Sequence, residues 1–149
     1  MISNTFCPIS NQRTDEHTAR IVAGFVSLSV IYYLLSANVL IIAFLLVDFI
    51  LRSISLPAYS PLAILSKIIL KATKAKPNLI NAGPKIFAAR IGVVFNAGIL
   101  LFSALNISEV AIVLASIFAL CAILEATIGF CVACKIYPLF YKLVYRQQY

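Results

Sequence analysis

Residues 21–51 and 91–134 are two long apolar stretches that contain no lysine or arginine. Asp48 is the one charge in the first, and Glu109 and Glu125 are the two in the second. Each stretch is about twice the ~20 residues a helix needs to cross hydrocarbon, so each is expected to hold a helical hairpin. The spans fall at roughly residues 19–36, 39–56, 86–105 and 109–130, with Asn38 and Asn106-Ile107-Ser108 at the outer turns. Thr14, followed by Asp15 and Glu16, reads as the N-cap of the first helix. Pro57 and the Ser60-Pro61 step end the second span, because a residue preceding proline resists the helical region.

Residues 61–75 differ in kind. Leu62, Leu65, Ile68, Ile69 and Ala72 share one helical face, and Lys67, Lys71 and Lys74 line another. A stripe of that shape predicts a helix lying in the headgroup plane. The KPNLINAGP segment, residues 76–84, reads as a turn-rich connector. In the tail, Tyr137, Phe140, Tyr141 and Tyr145 with Lys142 and Arg146 suit an interfacial anchor. The expected fold is an all-α membrane protein, with four transmembrane helices as two hairpins plus one interfacial amphipathic helix. It forms a single domain over residues 1–149: an arm (1–18), hairpin one (19–56), the amphipathic segment (57–85), hairpin two (86–134) and a tail (135–149). A faint internal repeat accompanies this pattern. Ala19-Arg20-Ile21 with Phe25 recurs as Ala89-Arg90-Ile91 with Phe95, each at the start of a hairpin. Two hairpins entering from one side are related about an axis along the membrane normal.

Composition and charge sharpen the picture. Hydrophobic residues make up 62% of the chain and charged residues 11%, against about 25% charged in soluble domains. The basic residues fall in three zones: the arm (Arg13, Arg20), the centre (Arg52 to Arg90) and the tail (Lys135, Lys142, Arg146). Short loops rich in lysine and arginine stay in the cytoplasm, which predicts a multi-pass protein with both termini inside. The net charge of +7 then reflects topology and anionic lipid rather than nucleic acid, which is not expected as a partner. The first eighteen residues are polar and do not read as a signal peptide.

Four residues carry the candidate sulfur chemistry. Cys131 and Cys134 form a CxxC, Cys7 lies on the same predicted side, and Cys121 lies inside the fourth span. Residues three apart on a helix share a side, so the sulfurs of Cys131 and Cys134 are able to join or to share a metal. Lys135 favours the thiolate, but the carboxyl end of the fourth span, where the pair is expected to sit, opposes it. Reversible thiol or sulfur chemistry, metal binding and plain packing all remain open at this point. A zinc site would draw on Cys7, His17, Cys131 and Cys134, although their spacing matches no familiar zinc module.

Glu125 is expected ~15 Å inward from Lys135, near mid-membrane. Such a residue marks a solute or proton path, or else is a neutral acid hydrogen-bonded to Asn96 or a serine. On a continuous helix Glu125 is half a turn out of phase with Cys134, so the two meet only if the chain bends after Gly129. Asp48 and Arg52 read as an i,i+4 ion pair, and Arg20 and Arg90 as snorkelling cations. No phosphate loop, Ser-His-Asp set or HExxH pattern is present, and no cofactor is implied.

Several motifs occur in order along the chain: CPIS at 7–10, DFILR at 48–52, YSPLA at 59–63, GPKIFAARIG at 83–92 and EATIGFCVACKIY at 125–137. With them the chain resembles a bacterial membrane family known only as domain of unknown function 4395. Ala133 stands where that pattern often has glycine. The resemblance implies a compact four-span protein and points again to Cys7, Cys131, Cys134 and Glu125, without supplying an activity. The expectation is an inner (plasma) membrane protein handling thiol redox or sulfur transfer at the cytoplasmic face, with a soluble thioredoxin-like or sulfur-transfer partner. The alternatives are a homo-oligomeric carrier or channel using Glu125 and Asn96, or a non-catalytic membrane subunit.

Overall fold

A computed structural model describes residues 13–54 and 57–145. Its described residues form six α-helices: α1 (Glu16–Ser36), α2 (Val39–Ser53), α3 (Pro61–Thr73), α4 (Gly83–Ala104), α5 (Ser108–Ile128) and α6 (Val132–Tyr145). A 3-10 turn at Pro57–Tyr59 precedes α3. Two short strands, β1 (Arg13–Asp15) and β2 (Leu79–Asn81), pair antiparallel, with Thr14 opposite Ile80.

Three helices, α1, α4 and α5, are long and apolar enough to cross a membrane. At 21, 22 and 21 residues they reach ~32 Å, about the thickness of the hydrocarbon core. The fourth expected span corresponds to α2, which has 15 residues and reaches only ~22 Å. It ends at Ser53, short of the expected 56, because its last two turns hold Asp48 and Arg52, which are drawn into the protein. Asp48 is fully buried. One of its oxygens accepts from the Ser60 hydroxyl and, at 3.3 Å, from the Leu62 N–H, so it holds the amino end of α3. Ser60 is itself the N-cap of α3.

The arm and the connector also depart from expectation. Thr14 is a strand residue, and Asp15 caps α1 instead, accepting the His17 N–H at 3.0 Å. The connector is not all turn, since β2 lies within it and binds the start of α1. The Glu16 N–H donates to the Asn78 carbonyl at 3.0 Å, and the Asn78 amide donates to the Glu16 carboxylate at 2.6 Å. Helix α3 turns Leu62, Ala63 and Ser66 toward α1, while Ile64, Leu65 and Ile68 of its apolar side remain exposed. Of the expected apolar stripe, Leu62 is buried and Ile69 half-buried, while Leu65, Ile68 and Ala72 are exposed.

Packing relates the two halves of the chain. In the first half α3 follows α2 and folds back on α1; in the second α6 follows α5 and folds back on α4. Between halves α1 packs on α5 and α4 packs on α2, the reciprocal pairing that a two-fold relation requires. The core is built from Val22, Val26 and Val30 on α1, Ile42 and Leu45 on α2, Ile99 on α4 and Ala111, Ala115 and Ala122 on α5. Small residues on α5 let the backbones approach, which is how helices associate when the surroundings are as apolar as the core. Gly92 makes the closest approach: a Cβ there would fall 2.5 Å from the Phe49 ring. The outward faces are equally apolar, with Leu35, Leu40 and Val94 among the exposed residues.

Candidate functional site

Helix α5 stops at Ile128 because Gly129 takes the left-handed region, with φ of 72°. The Gly129 N–H returns to the Glu125 carbonyl at 3.0 Å and closes the helix. Arg20 of α1 donates to the Thr127 carbonyl at 2.7 Å, bringing a cation to the negative end of α5. The chain turns through Phe130 and starts a new helix at Val132.

Cys131 is the residue that opens that helix. Its carbonyl accepts the first helical bond, from the Lys135 N–H at 3.1 Å, and its sulfur accepts the Cys134 N–H at 3.3 Å. These two bonds define an N-cap, with sulfur where a hydroxyl or carboxylate oxygen usually stands. The position matches Ser60 in the first half, which caps α3 in the same way by accepting the Ala63 N–H. Phe87 of α4 anchors α6, its ring 5.2 Å from that of Tyr137 and 5.5 Å from that of Phe140. The CxxC thus stands at the positive amino end of α6, not at the carboxyl end of a fourth span. The reason is the left-handed glycine, which interrupts an apolar run that reads as continuous.

The electrostatics follow from this geometry. The Cys134 side chain hydrogen-bonds the Cys131 sulfur and holds Cys131 below the ordinary thiol value, against the opposing effects of burial and Glu125. The Cys134 N–H and the Lys85 charge act in the same direction. The same bond keeps the proton on Cys134, which is pushed up, with burial adding to the effect. One sulfur is prepared as thiolate and the other as thiol. Both are free cysteines, as is Cys121 on α5. The cation facing the sulfurs is Lys85; Lys135 lies over the Phe130 ring instead.

Glu125 sits one turn before the end of α5 and forms an ion pair with Lys85 at the start of α4. Its partner is not Asn96, which is fully buried and donates to the Gly92 carbonyl at 2.7 Å. The Asn96 side-chain oxygen is buried without a hydrogen bond. After the bend at Gly129, Glu125 and Cys131 line one cavity, and the Glu125 charge opposes ionisation of both thiols. Asp48 and Arg52 stand 3.5 Å apart, a long contact that leaves Arg52 Nη1 and Asp48 Oδ2 buried without a hydrogen bond. Cys7 lies outside the described residues, as does Arg146. His17 is half-buried in the first turn of α1, and among the described residues no three His, Cys, Asp or Glu side chains gather to hold a metal.

A cavity of about 290 Å³ lies beneath Cys131, among α1, α2, α4, α5 and the start of α6. Arg52, Lys85, Glu125 and Cys131 occupy its polar side, and Phe49, Phe95 and Phe118 its apolar side. A second cavity, of about 320 Å³, is lined by Arg13, Asp15 and Lys67 and shares Arg52 and Lys85 with the first. Sequence reasoning missed Lys85 and did not place Arg52 at the site. The available signal was the position of Lys85 in the first turn of an apolar helix.

No curated protein and no solved structure matches the chain. The model of one family, described as Domain of unknown function (DUF4395), matches residues 14–142, which take in the capped CxxC, the Lys85–Glu125 pair and the cavity. With that span of agreement, the chain belongs to the DUF4395 family.

Proposed function

We propose that this protein exchanges a dithiol for a disulfide at the basic end of its helical body, with Cys131 as the sulfur that meets the partner and Cys134 as its internal counterpart. The single observation that carries this reading is the capped CxxC, in which Cys131 opens α6 and its sulfur accepts the Cys134 N–H. In the oxidised form, a partner thiolate attacks Cys131 of the disulfide and Cys134 departs, taking up a proton. The partner's second thiol then attacks the mixed disulfide, and Cys131 leaves as thiolate. A low-pKa thiol leaves readily and stabilises the reduced form, so the pair acts as an oxidant toward ordinary protein dithiols.

The distribution of cations supports a cytoplasmic position for this end, N-in and C-in, in a bacterial inner membrane. It also supports α2 as a fourth, short span, accommodated by local thinning of the bilayer. A soluble thioredoxin-like protein has the chemistry of the partner. A transport path through Glu125 and Asn96 has less support, because Glu125 is paired with Lys85 and Asn96 bonds its own helix.

The test is a redox titration of the purified protein against glutathione, with thiols trapped by a maleimide. The expected result is one two-electron transition assigned to Cys131 and Cys134. A Cys131→Ser/Cys134→Ser variant that titrates like the wild type would eliminate thiol exchange and leave a non-catalytic subunit as the better reading.

A further inference from the structure

We infer that the cavity beneath Cys131 binds a lipid-soluble quinone, which accepts the two electrons of the Cys131–Cys134 dithiol; this rests on the thiol-exchange reading and names its second substrate. Three features of the cavity select that class of molecule.

The first is position. Cys131 is on the cavity wall and Cys134 is hydrogen-bonded behind it, so an occupant touches the sulfur prepared as thiolate. The second is the wall itself. Apart from Arg52, Lys85, Glu125 and the sulfurs of Cys121 and Cys131, every lining residue is apolar. The Phe118 ring stacks on Phe95 at 5.7 Å and meets Phe49 edge-on at 5.6 Å, an aromatic surface suited to a flat ring. Water-soluble redox cofactors carry phosphates and sugars that such a wall leaves unbound. The third is a buried donor. Arg52 lines the cavity, and its Nη1, 3.5 Å from Asp48 Oδ2, is shielded from solvent and makes no hydrogen bond. Unmade buried hydrogen bonds are costly, and a ring carbonyl oxygen supplies an acceptor that brings no charge.

The stoichiometry closes. The Cys131 thiolate, the Cys134 thiol, one proton and the quinone give the disulfide and the quinol. The sulfur–sulfur bond forms, two electrons pass to the ring, and its two oxygens receive the Cys134 proton and the added one. Lys85, paired with Glu125 on the cavity wall, is a proton-bearing group beside the ring site. Oxidised Cys131–Cys134 is then ready for the soluble dithiol partner, so electrons run from a cytoplasmic dithiol into the membrane quinone pool.

The experiment uses the full chain, reduced, in nanodiscs of quinone-free phospholipid, and decylubiquinone, whose fully substituted ring resists alkylation by thiols. We expect two thiols lost per quinol formed, at a rate that saturates with quinone. Filling the cavity with Cys121→Phe slows the reaction at least tenfold, while Val94→Phe, on the exposed face of α4, leaves it unchanged. Oxidation of the pair by glutathione disulfide but not by decylubiquinone would overturn the quinone site and leave thiol exchange standing. A rate that rises linearly with quinone and ignores Cys121→Phe would overturn it equally, and would mark the cavity as a place for lipid chains. A pair oxidised by neither reagent would remove the exchange reading and this inference together.

Discussion

The backbone N–H of Cys134 donates to the sulfur of Cys131 at 3.3 Å, so that a thiol closes the amino end of a helix where an oxygen usually does. Sulfur is a weak acceptor when protonated and a much better one as thiolate. The cap and the charge state therefore reinforce each other, and the helix dipole adds to both.

The alkylation of Cys131 reports this directly. Its pKa is lowered, so its thiolate is populated at lower pH than that of an ordinary thiol near ~8.5. In a stopped reaction with iodoacetamide, the rate at Cys131 rises and levels off at a pH below that for a model thiol. Cys134, pushed up, reacts only slowly across the same range. Equal profiles for the two cysteines, read by mass spectrometry, would contradict the assigned roles.

Lys85 and Glu125 act on Cys131 with opposite sign. Lys85→Met removes a charge that favours the thiolate, so the alkylation midpoint moves to higher pH. Glu125→Gln removes one that opposes it, so the midpoint moves lower. Shifts in the same direction for both variants would mean that the substitutions act through structure and not through charge.

Gly129→Ala tests the bend. A left-handed conformation costs a residue with a Cβ about 1–2 kcal/mol, while the Cβ itself makes only an ordinary contact with the Glu16 carboxylate at 3.4 Å. The variant is expected to melt several degrees lower and to lose the preferential alkylation of Cys131, because α6 no longer starts where Cys131 caps it. Unchanged alkylation alongside the lower melting temperature would separate the bend from the chemistry.

Gly92→Ala tests the packing of α2 on α4. Its Cβ would sit 2.5 Å from the Phe49 ring, an overpacking expected to cost about 1–3 kcal/mol. Phe49→Leu in the same chain makes room, and the double variant should recover part of the lost thermal stability. Strictly additive losses in a double-mutant cycle would show that the two residues do not meet.

Much of the fold is legible along the chain because hydrophobic length and cation placement are local properties. The helices α1, α4 and α5 start and stop within a few residues of their expected bounds, and α3 forms where the lysine stripe predicts it. The β1–β2 pair was not legible. Strands of three residues carry no usable period, and theirs depends on Asp15 and Asn78 meeting across more than sixty positions. The burial of Leu62, Ala63 and Ser66 of α3 against α1 was hidden for a similar reason, since the same stripe serves to bury a helix in protein or to rest it on lipid.

By itself, the sequence determined helices long and apolar enough to cross a membrane, two long stretches free of lysine and arginine, and a CxxC beside Lys135, because hydrophobic length and charge are properties of each stretch of chain independently. Only the tertiary structure decided what those cysteines are. One residue, Gly129, ends α5 early and turns the carboxyl end of a span into the amino end of another helix. Packing between helices distant in sequence then brings Lys85, Arg52 and three phenylalanine rings to the cavity that Cys131 lines. Such a meeting depends on how helices settle against one another, which no local pattern of residues encodes.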